Sequence, residues 1–236
     1  GDLLLDLEKR KPLKIVHYRL IPVPTTGDQD PEIVKLVLQA RATLEDKYGK
    51  NWFYEPLIYS DIPLERPLSH ATRWGDIYAD AIKEAIYADV SIDVGEFFGG
   101  TRPAGIVTRE TLFQFYPRVF DVYKPYGWTI WEIQTAGSLL KWILDTLLKN
   151  GTFMNTSGVQ YNVVNNNNSV LAENVRVNGY FLDPNKTYRI AVSEGIGRGS
   201  SEAGFILKRT FRPKDSGISI WHAVEEKLKK IGPVVY

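Results

Sequence analysis

Residues 94–105 read VGEFFGGTRPAG, which packs four glycines, two adjacent phenylalanines, a glutamate and an arginine into one short stretch. Glycine lets backbone come close to a ligand, an aromatic ring can stack on a base, and arginine can grip an anion. The same residues also describe a glycine-rich turn whose phenylalanines belong to the core. Phe97 and Phe98 are successive residues, so in extended chain one faces the core and the other a cleft. Sequence does not say which.

Other stretches that could carry chemistry fall short of a motif. EGIGRGSSEAG, residues 194–204, suggests a dinucleotide loop, but Ser200 stands where GxGxxG needs its last glycine, and the stretch reads as a flexible loop. His17, His70 and His222 sit in unlike contexts and form no HxH or HExxH pattern. No GxSxG elbow or Walker loop occurs, and cysteine is absent, which removes disulfides, thiol nucleophiles and thiolate metal sites. Glu84 falls on the polar side of its helix, and Glu225 and Glu226 lie beside lysines as solvated charges. The chain carries no self-sufficient active site.

Composition narrows the classes further. Among 236 residues, 29 basic and 28 acidic side chains leave a net charge of +1 with no basic block, so nucleic-acid binding has no footprint. Apolar runs stay well short of the roughly 20 residues a membrane span needs. A hydrophobic share of 44% supplies a well-filled core. The opening GDLLLDLEK shows neither an initiator methionine nor a signal peptide, which raises the expectation of an upstream segment.

The elements that must position these residues follow from periodicity. Residues 3–23 read as extended chain. Asp30, Pro31 and Glu32 start a helix that Gly49 ends, with Ile33, Leu36, Val37, Ala40 and Leu44 on one face. NWFYEPLIYSDIPLERP looks like a connector because of its prolines. A compact α/β pattern then begins. Trp74, Ile77, Tyr78, Ala81, Ile82, Ala85 and Ile86 share a helical face, and VSIDV is a short buried strand. Thr108 caps the short helix TRETLFQFY, WTIWEIQT is a strand, and SLLKWILDTLLKNG is an apolar helix. VQYNVV, NVRVNGYFL and YRIAV are strands, with a hairpin at Asn178-Gly179. The last helix turns Ile220, Trp221, Val224, Leu228 and Ile231 inward. The division is an extension with a helix at 1–67 and an α/β domain at 68–236.

HATRWGDIYADAIKEAIYADVSIDVG, AGIVTRETLFQFYP, WEIQTAGSLLKWILD, TSGVQY and VRVNGYFLDPNKTYRIAVSEG follow one another in order. Together they resemble the C-terminal domain of the 5′-nucleotidase family of metallophosphoesterases. The resemblance covers residues 68–236 and implies an α/β (α+β) fold of mixed sheets covered by helices. HYRLIPVPTTGDQDPEIVKLV is similar to the segment joining the family's two domains, so residues 1–67 stand for the end of the metallophosphoesterase domain and the linker helix.

The resemblance implies the substrate-recognition half of a two-domain hydrolase. Two divalent metal ions are then expected on the absent N-terminal domain, and none in this chain. The implied partners are that domain and a small anionic or nucleotide-like substrate, in the periplasm or at the cell surface. The candidate substrate-binding residues are then Phe97, Phe98, Arg102, Arg118, Ser157, Gly158, Glu194 and Arg198. Of these only Ser157 and Gly158 stand where the family has them, while Arg102 is displaced from the arginine that ends the family's glycine-rich turn. Arg118 replaces the first base-stacking phenylalanine of the family's PFGN turn, which covers Pro117, Arg118, Val119 and Phe120. Gly195 replaces the second stacking phenylalanine, and Gly199, Ser200 and Ser201 stand for the family's GGDG loop. With both aromatic faces gone, Phe97 or Phe98 would have to rebuild the clamp, or Arg102, Arg118 and Arg198 would gather around a small anion.

Two alternatives remain open at this stage. The sulfur-oxidising thiosulfohydrolases share the architecture without the nucleoside clamp, and ISIWHAVEEKL and TRETLFQFYP look closer to that branch. A non-catalytic binding module would instead use an apolar rim of Phe97, Phe98, Tyr123 and Trp128.

Overall fold

A computed structural model describes residues 2–6, 14–21, 27, 29–118, 127–166, 169–199 and 211–232. The chain divides into two compact units, residues 1–50 and 51–236.

The first unit contains an antiparallel hairpin of β1 (Asp2–Asp6) and β2 (Lys14–Arg19), then helix α1 (Pro31–Tyr48). Asp30 caps α1 by accepting from the amides of Glu32 and Ile33 at 2.8 and 3.3 Å, with Pro31 at the helix start. Its apolar stripe forms as the spacing predicts, yet no residue of α1 is buried, and Leu36 and Val37 are both exposed. The hairpin exposes Leu3, Leu4, Ile15 and Val16 as well.

The second unit is built on a mixed five-stranded sheet. Its strands are β4 (Val90–Val94), β6 (Thr129–Ala136), β7 (Met154–Ser157), β11 (Thr187–Ser193) and β12 (Lys214–Ser219), in the order β12-β6-β11-β4-β7. β11 runs parallel to β4, and the other pairs are antiparallel. Because the sheet is covered on both faces, VSIDV is buried throughout. One face packs on α2 (Arg73–Ala85), α3 (Arg109–Phe115) and α6 (Ile220–Ile231). The other packs on α4 (Gly137–Lys149) and on a second sheet of β8 (Val159–Asn166), β9 (Ser169–Val177) and β10 (Tyr180–Phe181). The segment read as a connector contributes β3 (Pro56–Ser60), which pairs with β5 (Gly105–Thr108).

Helix signals in this unit hold with two corrections. Thr108 caps α3 in a reciprocal pair with Thr111, and the apolar face of α2 is buried as its period requires. Ile231, however, sits 36% exposed at the end of α6. Glu225, expected as a solvated charge, is tucked between helices, where Arg109 grips it in a fork at 3.0 and 2.6 Å. Burial works against that carboxylate, but the Arg109 hydrogen bonds and charge hold its pKa below the usual range. Sequence places those two residues 116 positions apart, so the pairing is visible only in the fold.

Candidate functional site

Parallel strands end on the same side of a sheet, so β4 and β11 deliver their following segments to one place. After β4 comes a short 3-10 turn, Gly95–Phe97, and after β11 a short helix, α5 (Glu194–Arg198). The stretch EGIGRGSSEAG is thus helical at its start, over EGIGR, where a loop was expected, and residues 200–204 lie outside the described residues. The chain after α3, Pro117-Arg118, meets the chain before β6, Gly127-Trp128, where the Trp128 amide donates to the Arg118 carbonyl at 3.1 Å.

The adjacent phenylalanines divide at the end of the 3-10 turn, which Phe97 closes and extended Phe98 follows, so the strand alternation expected for them does not apply. Phe98 is 1% exposed among Tyr78, Phe115 and Tyr116, and so offers no ring to a ligand. Phe97 is partly buried and meets the Trp128 ring edge-on at 4.8 Å between centroids. Trp128 in turn lies on Gly195. A Cβ at that glycine would stand 2.3 and 2.5 Å from two indole carbons of Trp128 and 3.0 Å from the Phe97 ring. At Gly197 a Cβ would stand 2.6 Å from the Trp131 ring. Both glycines exist because indoles occupy the space that their side chains would need. Gly95 has the same kind of cause, since a Cβ there would run into the Pro67 carbonyl oxygen at 1.7 Å. Backbone and rings of the protein itself thus use the close approach that the glycines offer.

The arginines are spent internally as well. Arg118 donates through Nε to the Phe97 carbonyl and through Nη2 to the Glu96 carbonyl, both at 2.6 Å, with its guanidinium over the Phe97 and Trp128 rings. Arg66 reaches the same turn, donating to the carbonyls of Gly95 and Glu96 at 3.3 and 3.2 Å. Arg198 pairs with Glu194 at 2.5 Å, and Glu194, 3% exposed, also accepts from the Thr129 amide at 2.9 Å. Arg102 makes a two-way backbone bridge with Leu64, at 2.9 and 3.0 Å, and its side-chain Nε is buried with no hydrogen-bond partner among the described residues. Of the three arginines expected to gather around one anion, Arg118 and Arg198 hold protein atoms through their guanidinium groups.

Ser157 and Gly158 lie elsewhere. Ser157 pairs with Ser91, nearer the start of β4, and it donates to Asp80 at 2.5 Å. With Gly158 it lines a separate cleft of about 360 Å³ that also holds Arg73, Asp76, Asp80 and Asn178. Burial and the neighbouring Asp80 raise the Asp76 pKa, against the pull of Arg73. Two carboxylates make that cleft a poor seat for an anion. Val119, Phe120, Tyr123, Ser200 and Ser201 lie outside the described residues.

One residue escaped the sequence reading. Asp93, fully buried, accepts from the Tyr116 hydroxyl at 2.9 Å on one oxygen and from the Ser193 hydroxyl at 2.8 Å on the other. Burial pushes its pKa up to about 6, against the pull of both hydroxyls and of Arg118. Burial likewise raises the Tyr116 hydroxyl, with the Asp93 charge adding to it. A lone carboxylate inside the run VSIDV was the available signal, because a charge in a doubly covered strand must find partners.

A family model for the 5′-nucleotidase C-terminal domain matches residues 57–208. The chain belongs to that family. Among solved structures it is similar to a 5′-nucleotidase precursor from Thermus thermophilus, with a TM-score of 0.64, 19% identity, and 86% of this chain and 41% of that one covered. It is similar to a sulfate thiohydrolase, SoxB, from the same organism, with a TM-score of 0.62, 20% identity, and 94% and 40% covered. It is also similar to the Haemophilus influenzae NAD nucleotidase, NadN, with a TM-score of 0.61, 18% identity, and 88% and 40% covered. The chain thus spans about two fifths of the length of these structures. No curated protein matches. At such identities the likeness carries the fold, and it does not separate the nucleotidase branch from the thiohydrolase branch.

In this member of the 5′-nucleotidase C-terminal domain family, Trp128 fills the side-chain space of Gly195, and Arg118 is bound to the 95–97 turn. Among the described residues no group of three or more His, Asp or Glu side chains is arranged to hold a metal, and no helix is long and apolar enough to cross a membrane.

Proposed function

We propose that this chain is the substrate-recognition part of a two-domain, metal-dependent hydrolase of the 5′-nucleotidase family, and that its substrate is a phosphoester or related small anion held without base stacking. Residues 1–67 form the end of the metallophosphoesterase domain and its linker helix in this reading. Two divalent ions sit on the domain outside this chain, which supplies the hydrolytic chemistry, so no step of that chemistry is assigned to residues described here. The exposed apolar faces of α1 and of the β1–β2 hairpin support the reading, because a catalytic domain would cover them. Placement in the periplasm or at the cell surface belongs to the same proposal.

The observation that carries the substrate class is Trp128 lying on Gly195, which leaves no slot for a base at the second stacking position. Calorimetry with adenosine, AMP, phosphate and thiosulfate tests it on this chain, and hydrolysis assays with metal test it on the full-length protein. The expected result is no saturable adenosine binding, no hydrolysis by this chain alone, and full-length activity that does not depend on a base. Saturable adenosine binding, or turnover by the isolated chain that tracks with the protein, overturns it.

A binding module that has lost nucleotide recognition is the second reading, favoured by Arg118 being committed to the turn carbonyls. Upstream sequence without the family's Asp and His metal motifs decides for it, and their presence decides against it.

A further inference from the structure

Asp93 has no role in the proposal above, yet it meets three of the segments that form the candidate face. It is the next-to-last residue of β4, immediately ahead of the Gly95–Phe97 turn. Ser193 is the last residue of β11, immediately ahead of α5, and Tyr116 follows α3, immediately ahead of Pro117-Arg118. One carboxylate therefore meets the base of all three segments, with one oxygen for each hydroxyl, at 2.8 and 2.9 Å. Neither Asp93 nor Ser193 has any exposed surface, and Tyr116 is 1% exposed, so water does not compete for these bonds.

Further links run outward from this node. Tyr116 stacks on Tyr78 at 5.4 Å, and its carbonyl accepts from the Trp221 indole at 3.0 Å. Arg118, two residues on, holds the carbonyls of Glu96 and Phe97. Glu194, one residue after Ser193, holds the Thr129 amide beside Trp128. The groups facing Asp93 are Ser193, Tyr116 and the Val94 backbone amide by hydrogen bond and Arg118 by charge, with Tyr78 behind Tyr116. A hydrogen bond to a buried charge is stronger than one between neutral groups, and it is costly to leave half made.

We infer that Asp93 is the positioning residue of this face: through Tyr116 and Ser193 it locks the 95–98 turn, the 116–118 segment and α5 into one arrangement, so that the three loosen together or not at all. The inference holds whatever substrate the face takes, because it concerns only how the loops are held. Its failure and the failure of the substrate reading are separate events.

Hydrogen exchange on the whole chain tests it, using Asp93→Asn, Tyr116→Phe and Ser193→Ala. The reporters are the amides of Phe98, Gly99, Trp128, Thr129 and Gly199, all hydrogen-bonded on the three segments or beside them. Losing one bond to a buried charge is expected to speed local exchange about tenfold or more. In Asp93→Asn the rise appears at all five reporters, while amides in the middle of β6 and α4 keep their rates. If Asp93→Asn does not fold, the other two variants decide, since each is expected to raise exchange on all three segments. A rise confined to the substituted residue's own segment, or one spread evenly over the unit, overturns the inference.

Discussion

Substituting alanine at Gly195 probes the filled clamp directly. The new Cβ would stand 2.3 and 2.5 Å from two carbons of Trp128, against an ordinary carbon–carbon contact of roughly 3.5–4.0 Å. Either the indole or α5 must then move by about 1 Å. The indole is poorly placed to yield. Trp128 is 6% exposed, its amide donates to Arg118, its carbonyl accepts from Ile220, and its ring abuts Phe97. Overpacking of this kind costs about 1–3 kcal/mol, and a rigid neighbour points to the upper end. Alanine returns up to about 1 kcal/mol in helix propensity, which leaves a net loss of about 2 kcal/mol. In a Trp128→Leu background the two offending ring carbons are gone, so Gly195→Ala becomes neutral or slightly stabilising, and the coupling energy is about 2–3 kcal/mol. Denaturant unfolding followed by tryptophan fluorescence measures both steps, and all six tryptophans lie beyond residue 50, so the signal reports on the second unit alone. Equal costs in the two backgrounds would refute the claim that Trp128 fills this position.

Further outcomes follow from the other contacts. Burial raises Asp93 from 3.8 to about 6, so the native state keeps a proton that the unfolded chain releases between those values. Its contribution to stability is therefore greatest below about pH 4 and falls by roughly 3 kcal/mol as pH rises through 6; denaturation midpoints across that range should decline, and Asp93→Asn should flatten the decline. Arg109→Ala leaves the half-buried Glu225 with only the exposed Lys229 at 3.4 Å and should cost about 2 kcal/mol by chemical denaturation, whereas replacing both by leucine or methionine recovers most of the loss. Arg109→Lys should not rescue it, because lysine loses both the fork and the stacking on Trp52 at 4.8 Å. Arg118→Ala removes the donor to the Phe97 carbonyl, while Arg66 still holds that of Glu96, and should cost about 1 kcal/mol, read as a lowered midpoint.

Much of the local structure was legible because its causes are local. Asp30, Pro31 and Gly49 bound α1, Thr108 caps α3, and the spacing from Trp74 to Ile82 buries one face of α2. Each depends on residues within a turn or two of one another. The order of the segments was likewise enough to place residues 68–236 in a family whose model matches residues 57–208.

What the candidate site does with its residues depends on partners far away in the chain, and no local rule reaches them. Phe98 rather than Phe97 enters the core because Tyr78 and Phe115 wait there. Gly195 reads as loop flexibility until Trp128, 67 positions earlier, is seen to fill its side-chain space. Arg118 looks like an anion ligand until its bonds to the turn carbonyls are counted, and Asp93 looks like one acid among many until two hydroxyls close on it. Helices and strands were settled by neighbours in sequence. The contents of the cleft were settled by packing, because a side chain's partner is whatever the folded chain brings within a few ångströms of it.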